Sequence, residues 1–84
     1  MMRMTILKVD KKQSSYGGHF YFMFMKGEDG KSYRTCLYPN YGNFARWSPY
    51  LTKIGTQVDG ARILNGTVVD ADSEIRAVPA AVAA

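Results

Sequence analysis

Residues 17–38 read GGHFYFMFMKGEDGKSYRTCLY, and this stretch decides the fold. From His19 to Met25 every side chain is aromatic or Met. The run is too short for a helix buried on all sides. Gly17 and Gly18 bound it on one side, and Gly27-Glu28-Asp29-Gly30 on the other. A second β-favouring run, 32–38, follows at once. Two such runs across a short, Gly-bounded connection predict a β-hairpin.

A symmetric four-residue loop would set Lys26 against Lys31, Phe24 against Tyr33, Phe22 against Thr35 and Phe20 against Leu37. On the other side it sets Met23 against Arg34, Tyr21 against Cys36 and His19 against Tyr38. Side chains alternate across a strand. The predicted core face is therefore Phe20, Phe22, Phe24, Tyr33 and Leu37, with Thr35 among them. The predicted outer face is His19, Tyr21, Met23, Arg34, Cys36 and Tyr38. A slip of one residue exchanges faces.

Eighty-four residues make one small domain, and 46% hydrophobic residues suit a globular fold. No run of eighteen apolar residues is present to span a membrane. The opening MMRMTILKVDKK lacks the apolar core of a signal peptide. The lone Cys36 has no internal disulfide partner, which suits a reducing compartment. Together these predict a cytoplasmic protein, in a bacterial or phage-infected cell. There are 11 Lys and Arg against 7 Asp and Glu. The basic surplus lies before residue 54, with His19, Trp47 and every Tyr and Phe. Cations interleaved with rings are what an unpaired nucleic-acid strand needs. An ordinary basic surface over an aromatic core has the same composition.

Outward from the hairpin, residues 2–12 predict a first strand. Met4, Ile6 and Lys8 point one way, and Thr5, Leu7 and Val9 the other. After Tyr38, PNYGN is turn chemistry. Asn43 is a candidate cap for a turn through Trp47, and Ser48-Pro49 a candidate start for another. Phe44, Trp47 and Leu51 share one side at helical spacing. Trp47 is expected mainly in the core, for its large apolar area, with a stacking platform as the alternative, and Arg46 is expected exposed. Residues 57–64 predict a fourth strand, and Asn65-Gly66 a type I′ hairpin turn into Thr67-Val68-Val69. A turn over 70–73 precedes a short last segment, 74–78. Residues 79–84, PAAVAA, predict a loose Ala-rich tail.

This order predicts an all-β OB-like barrel over residues 1–78, five- to six-stranded, with one short helix between strands three and four. The segments FYFMFMKGEDGKSYRTCLY, NFARWSPYL and KIGTQVDGARILNGTVVDADS resemble small OB-fold single-stranded DNA-binding proteins of phage or mobile-element type. The resemblance is architectural. It lacks the long extension and acidic C-terminal tip of the bacterial form. It implies nucleic acid lying across strands two and three, with Tyr21 and Tyr38 stacking on bases. Arg34 and His19 share that face, and Lys26 and Lys31 flank its turn. Lys8 and Arg46 add positive charge.

The expected function is coating single-stranded DNA during replication or recombination, with RNA as an alternative strand. A second expectation is a protein-interaction barrel, with the aromatic face as a homodimer or partner interface or as an inhibitor surface. No enzyme is expected. His19 and Cys36 are single, and no third group orients them. Asp70, Asp72 and Glu74 lack the ordered loop and Gly of a calcium site. No cofactor or metal ligand set is expected.

Overall fold

The computed structural model describes residues 2–78, and the predicted tail lies outside them. The strands are β1 (Met2–Gln13), β2 (His19–Gly27), β3 (Ser32–Leu37), β4 (Gln57–Ala61), β5 (Ile63–Asn65), β6 (Val68–Val69) and β7 (Arg76–Ala77). Helix α1 (Phe44–Trp47) and a 3-10 turn, Ser48–Tyr50, stand between β3 and β4. All strands join one sheet in the order β5-β6-β3-β2-β1-β4-β7. Its pairs are antiparallel except β3 with β6. Only Arg62 separates β4 from β5. β4 pairs with β1, while β5 pairs with β6. Residues 57–65 thus act as one bent strand that curls the sheet into a half-barrel. The architecture is all-β with the predicted helix position. Seven strands replace the expected five or six: the expected last segment forms its own short strand, β7, and strand four breaks at Arg62.

A bulge lets β1 serve both faces. Ile6 pairs with Met25 and Lys8 with Phe24, which leaves Leu7 as the extra residue. An extra residue inverts the alternation beyond it. Met4 and Ile6 enter the core before the bulge, and Val9 packs against it after the bulge. Lys8, Asp10 and Lys12 therefore turn to the opposite face. The simple alternation expected for this strand is corrected accordingly.

The β2–β3 register differs from the expected one by one residue. Tyr21 pairs with Leu37, Phe22 with Cys36, Met23 with Thr35, Phe24 with Arg34, Met25 with Tyr33 and Lys26 with Ser32. β3 keeps its predicted inward row of Tyr33, Thr35 and Leu37. β2 is inverted: Met23 and Met25 are buried, and Phe20, Phe22 and Phe24 face away. The cause is the turn. The Gly27 N–H donates to the Lys31 carbonyl at 2.9 Å, and the Gly30 N–H to the Gly27 carbonyl at 2.9 Å. Gly30 has φ +84°. A turn followed by a left-handed Gly is the three-residue hairpin loop, 28–30, in place of a four-residue one. Asp29 secures it by accepting from the Lys31 N–H at 3.0 Å and from the Tyr33 hydroxyl at 2.6 Å.

The core joins Met4, Ile6, Met23, Met25, Tyr33, Leu37, Trp47, Val58, Ala61 and Val69. Removing this apolar surface from water is the main force closing the sheet on the helix. Trp47 is fully buried, and its indole N–H donates to the Ala71 carbonyl at 2.9 Å. Phe44 and Leu51 pack beside it, as predicted. Thr35 is accepted in the core because its hydroxyl donates to the Val69 carbonyl at 3.0 Å. Asn43 does not cap α1; its side-chain amide donates to Asp72 at 2.9 Å. The β5–β6 turn has positive φ at Gly66 alone, whereas type I′ needs it at both central residues.

Candidate functional site

The inverted strand creates a second aromatic surface, outside the core. β2 presents Phe20, Phe22 and Phe24, each partly accessible to solvent. Across from them β1 places Lys12, Asp10 and Lys8 in the same order. On the other flank β3 places Cys36 against Phe22 and Arg34 against Phe24. The rings form a continuous ladder. Phe22 meets Phe20 edge-on at 5.3 Å between centroids and Phe24 at 6.4 Å. Tyr38 stacks on Phe20 at 5.5 Å, and Tyr41 meets Tyr38 edge-on at 5.6 Å. Rings so arranged gain a little beyond their buried area and keep one another ordered.

Positive charge borders the ladder. The Lys8 ammonium lies 5.7 Å from the Phe24 centroid, within cation–π range. It also pairs with the Asp10 carboxylate at 3.4 Å. Lys26 continues the Phe row by strand alternation and is exposed. Arg34 is exposed. The neighbouring Cys36 thiol raises the Tyr38 phenol above its ordinary value, chiefly through a hydrogen bond. A recess of about 420 Å³ opens among Asp10, Lys12, Phe22, Phe24 and Arg34.

Of the predicted site residues, Tyr38, Arg34, Lys8 and Lys26 meet on this face. Tyr21 does not: it sits on the core side, packed against the core with its ring 5.8 Å from Phe44. Met23, expected outside, is fully buried. His19 is exposed at the start of β2, opposite Gln13, with the alternation of Tyr21 and not of Phe20. Lys31 does not oppose Lys26, whose partner is Ser32; it belongs to the turn. Arg46 lies elsewhere, donating to the Asp72 carbonyl at 2.9 Å. It lines a separate cavity with Arg62, Asp72 and Glu74. There Arg62 is held by Asp70, through Nε at 3.0 Å and through Nη2.

Sequence reasoning missed Phe20, Phe22 and Phe24 as surface residues and Asp10 as a member of the face. The available signal was Gly30, placed for the left-handed position that closes a three-residue loop, 28–30, and so sets the other register. Among the described residues no three His, Cys, Asp or Glu side chains are grouped to hold a metal ion. Among them, too, no helix is long and apolar enough to cross a membrane. Comparison with protein-family models, curated proteins and solved structures returns no match.

Proposed function

We propose that this protein binds single-stranded nucleic acid, DNA in the first instance, along the outer face of β1, β2 and β3. One observation carries the reading: three phenylalanines on the central strand face away from the core, between cations on both neighbouring strands. Every base has a π-face, so rings accept any of them, while cations follow the phosphates. Lys8, Lys12, Lys26 and Arg34 supply the charge, and Phe20, Phe22, Phe24 and Tyr38 the stacking. The strand then follows the ring ladder, and Tyr21 acts beneath it as support. The reading assigns no catalysis, cofactor or metal to the chain. It suits the cytoplasm of a bacterial or phage-infected cell, where replication and recombination expose single strands.

Titration of the protein with oligo-dT at low and moderate salt tests the proposal. Saturable binding that weakens steeply with salt is expected. Absence of saturable binding at low salt overturns it. Size exclusion with and without oligonucleotide addresses the competing reading. A mass that doubles without nucleic acid, and that Phe22→Ala returns to monomer, makes the face a homodimer interface.

A further inference from the structure

Asp10 is out of place on a surface meant for a polyanion. It stands in the middle of the face, opposite Phe22 and between Lys8 and Lys12. A carboxylate there repels a phosphate, so the strand must bring something else to it. The recess it lines has an aromatic floor, Phe22 and Phe24, and Arg34 on the far side. Its volume, about 420 Å³, is at the small end of the roughly 300–1,000 Å³ of ligand pockets. Asp10 and Arg34 stand on strands either side of β2, opposite Phe22 and Phe24 respectively, so their backbones are roughly 12 Å apart diagonally across the ring floor.

We infer that this recess is a guanine-selecting subsite, with Asp10 and Arg34 as its specificity-determining residues. The inference rests on reading the face as a single-strand site. A base stacked on Phe22 and Phe24 presents its edges to both walls. Guanine offers N1–H and N2–H donors, which match the two oxygens of Asp10. It also offers O6 and N7 acceptors, which match the guanidinium fork of Arg34. Thymine and uracil carry one ring N–H between two carbonyl oxygens, and those oxygens face the carboxylate unfavourably. Cytosine and adenine present an amino group but not both of guanine's paired edges. The Lys8–Asp10 pair does not block the site. Both side chains are partly exposed, and exposed pairs are held weakly.

The test uses dT8 and four variants of it, with one central thymine replaced by guanine, adenine, cytosine or hypoxanthine. Wild-type protein is expected to bind the guanine oligonucleotide about tenfold more tightly than dT8. Hypoxanthine, which lacks the N2 amino group, falls between them. In Asp10→Asn the preference shrinks to about twofold or less, and dT8 binds more tightly because the repelling charge is gone. Thermal melting confirms that the variant is folded. If wild type binds all five alike, or if Asp10→Asn keeps the full preference, the subsite is wrong while the single-strand face stands. If none of the five binds, the reading of the face itself fails.

Discussion

Tyr38 stacks on Phe20 with ring centroids 5.5 Å apart and planes inclined by 26°. This contact carries the aromatic ladder from β2 onto the segment after β3. It also keeps the Phe20 ring ordered on a face the core does not reach. The rings shelter one another while each keeps a partly open surface. Such a surface can exchange ring–water contacts for ring–base contacts at little cost in conformational entropy.

Neighbouring residues on β2 should therefore separate binding from stability. Phe22→Ala is expected to weaken oligo-dT binding by about 1–3 kcal/mol, with a small change in melting temperature. Tyr21→Ala should do the reverse, because Tyr21 packs against Phe44 and the core. Its expected cost is about 1–3 kcal/mol of stability, with unchanged affinity per folded molecule. Titration and urea unfolding of both variants measure this. A binding loss confined to Tyr21→Ala would restore the opposite face assignment.

Salt dependence should identify the cations that meet phosphates. Each phosphate neutralised on a single strand contributes about −0.7 to the slope of log affinity against log salt. Lys26→Ala is expected to make the slope shallower by about that amount. Arg46→Ala should leave it unchanged, since Arg46 lines the separate cavity with Arg62, Asp72 and Glu74. Titrations at four or more salt concentrations check both slopes.

The turn that sets the register should respond to pH. The Tyr33 hydroxyl, then the Lys31 N–H, hold the Asp29 carboxylate below its ordinary 3.8. The folded state thus binds this proton less readily than the unfolded chain. The resulting stabilisation is present above 3.8 and is lost as pH falls through the lower folded value. The same bond raises the Tyr33 phenol above 10.0. Its contribution is complete below that value and is lost as pH rises through the folded one. Tyr33→Phe should flatten both limbs of the stability profile, measured by urea midpoints across pH.

Closure of the sheet should depend on Gly60. Its φ is +92°, and a Cβ there would stand 2.7 Å from the Glu74 carbonyl oxygen. That atom belongs to the backbone leading into β7, so it cannot swing aside. Gly60→Ala is expected to cost about 1–3 kcal/mol. A urea midpoint equal to wild type would show that the β4–β7 approach is looser than described.

Much of the architecture was legible in local chemistry. The Gly-bounded runs marked β2 and β3, and the spacing of Phe44, Trp47 and Leu51 marked the buried side of the helical segment. Pairing beyond a neighbouring strand was not legible. The parallel contact of Arg34 with Val68 and the β1 bulge at Leu7 depend on parts of the chain far apart in sequence. The candidate site was legible only in part. Arg34 and Tyr38 face outward as expected, and Lys26 and Lys31 flank the turn without opposing each other. The β1 bulge brings Lys8 onto the face instead of leaving it with Met4 and Ile6, and Tyr21 and Arg46 lie elsewhere.

Sequence alone determined that β2 would be an apolar strand in a small all-β barrel, with aromatic and basic residues concentrated in one region. It did not determine which side of β2 would be the interior. Both of its alternating rows, Phe20-Phe22-Phe24 and Tyr21-Met23-Met25, are hydrophobic, so transfer from water favours burying either. The tertiary structure chose through a three-residue turn closed by Gly30 and Asp29 and through burial of the unbranched Met23 and Met25 in the core that also holds Trp47. The three phenylalanines were left outside, between Lys8 and Arg34.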